Sequence, residues 1–306
     1  MSTASSYAPT VGAMPDRALY QVSASKIQTW LDCPRKFWFG YVERVRVKSS
    51  WAHLTLGNAL HATLRDWWDV PSPARSPQVA QRLLTGHWSA EGFRNHAQAE
   101  QWERSAAMML RGYLSRLDPA FEPMSCERTL AFRTDHLAIT ARIDRIDRID
   151  QPEEHPDGEE LVIVDYKTGK RVPQQDEVRG SVALALYAIC VQQALRRPCS
   201  RVELHHVPSA TVAGWDHSDQ ALRRHLGRVE DIAEEMRAAE ARAVPGSVEQ
   251  QVAFEPRPGP LCGWCDYRGL CKEGADAAPA QPSWAGLPEA PEDAESIPEL
   301  ALGQGL

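Results

Sequence analysis

The sequence predicts an α/β protein: a core sheet flanked by helices, with a helical N-terminal half. Three observations carry this. Leu161-Val-Ile-Val164 is a short apolar run, mostly β-branched, as in a buried strand. Leu137–Ile149 also reads as a strand, and Asp150–Gly158, rich in turn formers, separates the two as the loop of an antiparallel hairpin. Val182-Ala-Leu-Ala-Leu-Tyr-Ala-Ile189 is apolar on all sides, the pattern of a helix buried against a sheet.

Taken in order, residues 1–20 lack the basic start and apolar run of a signal peptide and are expected to be a disordered tail. Helices are expected at 23–43, 56–70, 76–88 and 98–117, and strands at 126–133, 136–149 and 160–168. A helix at 179–196, a strand at 201–208 and a helix at 217–243 follow. A Pro/Gly-rich cysteine loop spans 256–273. Residues 274–306, rich in Ala, Pro and Glu with no basic residue after Lys272, read as a second, acidic disordered tail. The body, 21–273, is expected to form one elaborated domain. No run of apolar residues is long enough to cross a membrane, and a cytoplasmic location is expected. The formal net charge of −7 argues against broad coating of nucleic acid but leaves room for a locally basic channel. No phosphate-cradling Gly-x4-Gly-Lys-Ser/Thr motif occurs, so no motor is expected in this chain.

The chemistry concentrates where the second strand of the hairpin ends, at Val164-Asp-Tyr-Lys-Thr-Gly169. Alternation puts Asp165 and Lys167 on one face and Tyr166 on the other. A carboxylate beside an ammonium can hold a divalent metal and orient a water; the plainer reading is a surface ion pair. Folding the hairpin at its loop brings Asp144 opposite or diagonal to Asp165, with Cβ atoms of an opposed pair about 5 Å apart. Two partly buried carboxylates that close repel unless a cation lies between them. A second register would pair Asp147 with Asp165 instead. Only six of the 34 basic residues are lysines, and two of these, Lys167 and Lys170, fall here. A compact ammonium approaches a water or a scissile phosphate as a planar guanidinium cannot. Arg142, Arg145, Lys170, Arg171 and Arg179 are the nearby candidates for phosphate contacts.

Seven cysteines without a secretory leader argue against a disulfide framework. Cys126, Cys190 and Cys199 suit ordinary burial. Cys262, Cys265 and Cys271, spaced for one metal centre, need a fourth ligand from afar, and Cys33 is the candidate. Tetrahedral zinc would use this set.

Together, Ala141-Arg-Ile-Asp-Arg-Ile-Asp147 and Val164-Asp-Tyr-Lys-Thr-Gly169 resemble two motifs of the PD-(D/E)XK nucleases. The segments Ser23–Phe39, Leu56-Gly-Asn-Ala-Leu-His61, Ala183-Leu-Ala-Leu-Tyr187 and the cysteine triplet resemble, in order, further features of its RecB/AddB-type exonuclease branch, which includes CRISPR-associated relatives. The resemblance covers about Val22 to Lys272. It implies a restriction-endonuclease-like mixed sheet and a metal-dependent exonuclease acting on single-stranded or unwound DNA in repair or recombination, with a separate helicase as a partner. It implies that His61, Asp144, Asp165 and the Tyr166 backbone carbonyl hold Mg²⁺ or Mn²⁺, and that Lys167 orients the attacking water. It places Tyr187 in the substrate channel, Glu127 as an accessory acid and a 4Fe–4S cluster, rather than zinc, on Cys33, Cys262, Cys265 and Cys271. Ala183 stands where the family commonly has Gln, and Ala141 where it has Gly. The rival expectation is a catalytically weak DNA-binding or scaffold subunit.

Overall fold

The computed structural model describes residues 19–47, 50–149, 160–244 and 246–287. The N-terminal tail up to residue 18, the hairpin loop at 150–159 and residues 288–306 lie outside the described residues. The chain enters through strand β1 (Tyr20–Ser23), and the Ser23 hydroxyl caps α1 (Ala24–Asp32) by accepting the Lys26 N–H at 3.2 Å. Cys33 is extended and Pro34 opens a new turn, α2 (Pro34–Phe37), so the helix expected over 23–43 breaks there. Three long helices follow: α3 (Ala52–Asp69), α4 (Pro77–His87) and α5 (His96–Leu114). The helix expected over 179–196 is two, α6 (Gln175–Gly180) and α7 (Val182–Leu195), divided at Ser181, whose hydroxyl caps α7 through the Leu184 N–H at 3.2 Å. Helix α8 (Asp219–Ala241) and two short helices, α9 (Val248–Ala253) and α10 (Lys272–Ala277), complete the set.

The sheet contains β1, β2 (Ser125–Arg133), β3 (Leu137–Ile149), β4 (Glu160–Lys167), β5 (Arg201–His206) and β6 (Thr211–Asp216). It runs β1-β3-β4-β5-β6, with β2 also on β3; β1–β3 and β4–β5 are parallel and the other pairs antiparallel, so it is mixed. Its long strand is shared. β2 occupies one edge of β3 from Ala138 to Ile146, while β1 takes Leu137–Thr140 and β4 takes Arg145–Ile149 on the other edge. Between those two ladders the edge forks.

Strand β4 is buried on both faces, which is why it reads as a continuous apolar run. Leu161 and Ile163 pack with Ile139, Ile143 and residues of α1, α7 and α8; Val162, Val164 and Tyr166 pack with α3 and α5. On the second face Arg145 is 3% exposed. It forks onto Asp147 at 2.8 and 2.9 Å and donates to the hydroxyls of Tyr166 (3.1 Å) and Tyr113 (3.3 Å). Tyr113 continues to His205 at 2.8 Å, and His205 to Glu203 at 2.8 Å. A buried guanidinium needs such pairing to offset its desolvation.

Two further expectations change. Tyr20 belongs to β1, pairs with Leu137 and donates to Glu240 at 2.6 Å rather than lying in a tail. Residues 274–287 are packed as well: Ser283 O accepts the Ala52 N–H at 3.0 Å, Gln98 Nε2 donates to Leu287 O at 3.1 Å, and Leu287 is buried. The short edge strand β6, interrupted by Gly214, lacked a sequence signal strong enough to predict it.

Candidate active site

The fork in the sheet is where the acids meet. The β3–β4 register pairs Arg145 with Val164, so the next position sets Asp144 across from Asp165. The alternative register is excluded, because Asp147 pairs with Val162. Asp144 has no ladder partner in β4; its Oδ2 instead accepts the Tyr166 N–H at 2.9 Å. On its other side β2 continues the row: Cys126 pairs with Arg145 and Arg128 with Ile143, which sets Glu127 across from Asp144. Glu127 has φ 47°, a left-handed conformation that is strained for a residue with a Cβ. Alternation also breaks here, since Ile143 and Ile146, three apart, both point into the core under α7. The local kink aims carboxylates out of the sheet, as bulge-like irregularities near functional sites do.

Helix α3 supplies the opposing group. His61 Nδ1 lies 3.3 Å from Asp144 Oδ2, and one ligand atom each from His61, Glu127 and Asp144 falls within 4.8 Å of the others. Burial pushes the His61 imidazole down, but the Asp144 hydrogen bond and the charges of Asp144, Asp165 and Glu127 outweigh it, so its pKa is raised. Burial raises the Asp165 carboxyl; Lys167 opposes this and Asp144 adds to it. Lys167 Nζ bonds Asp165 Oδ2 directly. The approach of α3 depends on Gly57, where a Cβ would stand 3.1 Å from the Thr168 hydroxyl. His206 holds the following loop, with Nε2 2.6 Å from Gly169 O.

His61, Glu127 and Asp144 open onto a cavity of about 720 Å³, walled also by Gly57, Arg142 and Lys170; Asp165 and Lys167 are not among its walls. Arg142 Nε bonds Glu127 Oε2 at 2.6 Å and its side chain is otherwise exposed; Lys170 is exposed. One expected substrate contact is corrected. Arg145 is buried in the tyrosine network and cannot reach a phosphate. Tyr187 packs half-buried against the main core, where burial first, then the charges of Asp165 and Asp144, raises its hydroxyl pKa. Arg171 pairs with Glu177 at 2.7 Å, and Arg179 lies over the Trp215 ring at 5.2 Å. Glu127 joins the centre more closely than the sequence suggested. The short β2–β3 turn, where Thr134 N–H bonds Leu137 O at 3.0 Å, fixes its register and was the available signal.

The structure also brings four distant thiols to one place. Cys33, Cys262, Cys265 and Cys271 line a single cavity of about 290 Å³ between the start of α2 and the C-terminal loop. Backbone N–H groups point at the sulfurs: Arg257 to Cys33 Sγ at 3.5 Å, Gly259 to Cys262 Sγ at 3.4 Å and Gly274 to Cys271 Sγ at 3.4 Å. Such donors stabilise a thiolate. Burial raises Cys265 and Cys271, while the Tyr267 and Gly274 N–H groups oppose it. Cys190 and Cys199 are buried thiols, as expected.

Among the described residues no helix is long and apolar enough to cross a membrane. The chain resembles a solved "putative exonuclease" from Eubacterium rectale at 12% identity, with 79% of this chain and 89% of that one covered and a TM-score of 0.46. It also resembles the solved structure of SSO0001 at 11% identity, with 83% and 86% covered and a TM-score of 0.35. No curated protein matches it. The family model of the PD-(D/E)XK nuclease superfamily matches residues 21–272, which span the mixed sheet, the forked site and the cysteine loop. The chain belongs to the PD-(D/E)XK nuclease superfamily.

Proposed function

We propose that this nuclease is a divalent-metal-dependent DNA exonuclease of the RecB/AddB type, acting on single-stranded or unwound ends in repair or recombination. The observation that carries the reading is the meeting of His61, Glu127 and Asp144 at the wall of one open cavity, with the Lys167–Asp165 pair at the adjoining strand end. An imidazole with carboxylate oxygens suits Mg²⁺ or Mn²⁺, and the histidine favours Mn²⁺. His61, Asp144 and Asp165 would hold the ion, with Glu127 beside them and the Tyr166 carbonyl completing the set. Bound there, a metal supplies polarisation of the phosphate and a lowered pKa for water.

The chain's own groups do the rest. Asp144, clamped by the Tyr166 N–H, keeps its second oxygen free. The Lys167 ammonium neutralises Asp165 and would orient the attacking water and offset charge on the phosphate. Arg142 and Lys170, both exposed on the wall, draw the strand in despite the negative net charge.

We further propose that the four thiols carry a 4Fe–4S cluster that staples the N-terminal helices to the C-terminal loop. Zinc would take the same donors; metal analysis and visible absorption of anaerobically purified protein separate the two. A helicase partner and a cytoplasmic setting belong to this reading.

The test is anaerobic protein with end-labelled single-stranded DNA and Mn²⁺, beside Lys167→Ala. Label release that needs both the metal and Lys167 supports the exonuclease. Intact DNA with folded, metal-binding wild-type protein favours the scaffold alternative.

A further inference from the structure

A third cavity, of about 510 Å³, lies at the β6 edge of the sheet, walled by Arg179, Trp215, His217, Arg224, His225 and Arg228 among others. Its chemistry points to an anion. Arg224 and Arg228 stand one turn apart on α8, where like charges disfavour the helix. Among the described residues, neither has a carboxylate at ion-pair distance. Arg179 is fixed at the mouth by its stack on Trp215, 5.2 Å from the ring. The acid in the wall, Asp216, is already paired with Arg201 at 2.9 Å. The cavity opens at the first turn of α8, whose N-terminus is capped by the Ser218 hydroxyl through the Ala221 N–H at 3.2 Å and carries Asp219.

The independent observation is His217. It is 3% exposed, and neither ring nitrogen has a hydrogen-bond partner among the described residues. The His225 ring stands edge-on to it at 5.3 Å and offers no bond. A buried polar group left unpaired is costly and marks a missing partner. A metal ion is the wrong partner beside three arginines; an oxyanion accepts from an imidazole N–H and from guanidinium forks together.

The register locates the cavity relative to the fork. Trp215 pairs with Val202, and Val202 with Ile163, two residues before Asp165. At about 4.8 Å per strand, β6 lies roughly 10 Å across the sheet from β4. The fork cavity borders the α3–α5 face of the sheet and this one the α8 face, so a polynucleotide strand held in both passes round the β6 edge.

We propose that this cavity is a second phosphate-binding site, which holds the backbone of the substrate strand away from the bond being cut. The proposal rests on the nuclease reading for its ligand. Free phosphate shares the chemistry and is the alternative source.

The experiment measures binding of a fluorescent oligothymidylate by anisotropy over a salt series, without divalent metal, so that nothing is cleaved. Arg224→Ala/Arg228→Ala is compared with Arg82→Ala/Arg111→Ala, which removes the same charge from exposed positions on α4 and α5. At about 0.7 per single-strand phosphate contact, the salt slope should fall by about 1.4 in the first variant only. Equal slopes in wild type and both variants would overturn the proposal. A second arm titrates inorganic phosphate while following the His217 imidazole signal, identified by its loss in His217→Gln. If phosphate shifts that signal and the strand slope is unchanged, the site binds the free ion and the strand assignment is overturned. If the slope falls as expected while wild-type protein with Mn²⁺ leaves the strand intact, the phosphate site stands and the catalytic reading fails.

Discussion

Asp144 Oδ2 accepts the backbone N–H of Tyr166 at 2.9 Å, across the point where β4 leaves β3. A side chain thus replaces the ladder bond that the fork removes. Asp144 therefore has two roles, as an acceptor that closes the fork and as a charge facing His61 and Glu127.

The two roles separate by substitution. Asp144→Asn keeps an acceptor and loses the charge. It should melt near wild type yet lose Mn²⁺ affinity by calorimetry and about a hundredfold or more in cleavage rate. Asp144→Ala should lose about 1 kcal/mol of stability as well. Wild-type Mn²⁺ affinity in Asp144→Asn would remove this residue from the metal centre.

In the proposed mechanism Lys167 acts on the reaction more than on the ion. Lys167→Ala should retain Mn²⁺ binding, because it frees Asp165 from its ammonium partner. Its cleavage rate should fall about a hundredfold. Lys167→Arg should not restore it, since the guanidinium is planar and weakly hydrated. Rate measurements alongside calorimetry decide; full activity in either variant refutes the assignment.

Arg145 contributes to stability beneath the site. Arg145→Ala strands the buried Asp147 and two tyrosine hydroxyls, and urea unfolding should show a loss of about 3–5 kcal/mol. Arg145→Met with Asp147→Leu should recover much of it. A loss under about 1 kcal/mol in the single variant would mean that Asp147 is relieved by water or a proton.

The other end of that network sets an acid limit. Burial pushes Glu203 up, but hydrogen bonds from His205 and Arg201 outweigh it and hold it at about 2. Its folded value is depressed, so its contribution is present above the ordinary 4.5 and lost as pH falls from there towards 2. Burial lowers His205 below 6.5, so below that pH the unfolded chain gains a proton that folded His205 refuses, and stability falls again. Melting temperature followed from about pH 7 downward should decline in both windows, and Glu203→Gln should flatten the lower one. An unchanged lower limb in Glu203→Gln would show that the carboxylate is not the group responsible.

The proposed cysteine staple predicts linked losses. Cys33→Ala should abolish bound metal at the four-thiol cavity and expose the 256–273 loop to protease, although Cys33 is remote in sequence. Retention of a full complement of metal would exclude Cys33 as a ligand.

Much of the site was legible because it is local. Alternation along Val164–Lys167 decides which residues share a face, and the position of the hairpin loop sets Asp144 against Asp165, as the strand register has it. Helix α7 was legible because burial all round leaves a uniformly apolar sequence. Local patterns failed where long-range pairing decided the outcome. Tyr20 joins the sheet only because β3 leaves an edge free for β1, and Leu287 is buried only because Gln98 and the α3–α5 layer receive it.

Arg145 is the instructive miss. In sequence it is one more arginine beside the acids, indistinguishable from Arg142. The sequence alone determined the nuclease motifs, the hairpin register and the set of four thiols, because these rest on period, spacing and residue chemistry. Only the tertiary structure decided that Arg142 faces the cavity while Arg145 is sealed under Trp68 and Tyr166, that Glu127 joins His61 and Asp144, and that an orphaned His217 sits among arginines. Each depends on what the opposite element brings to the same point in space, and no period in the chain encodes that.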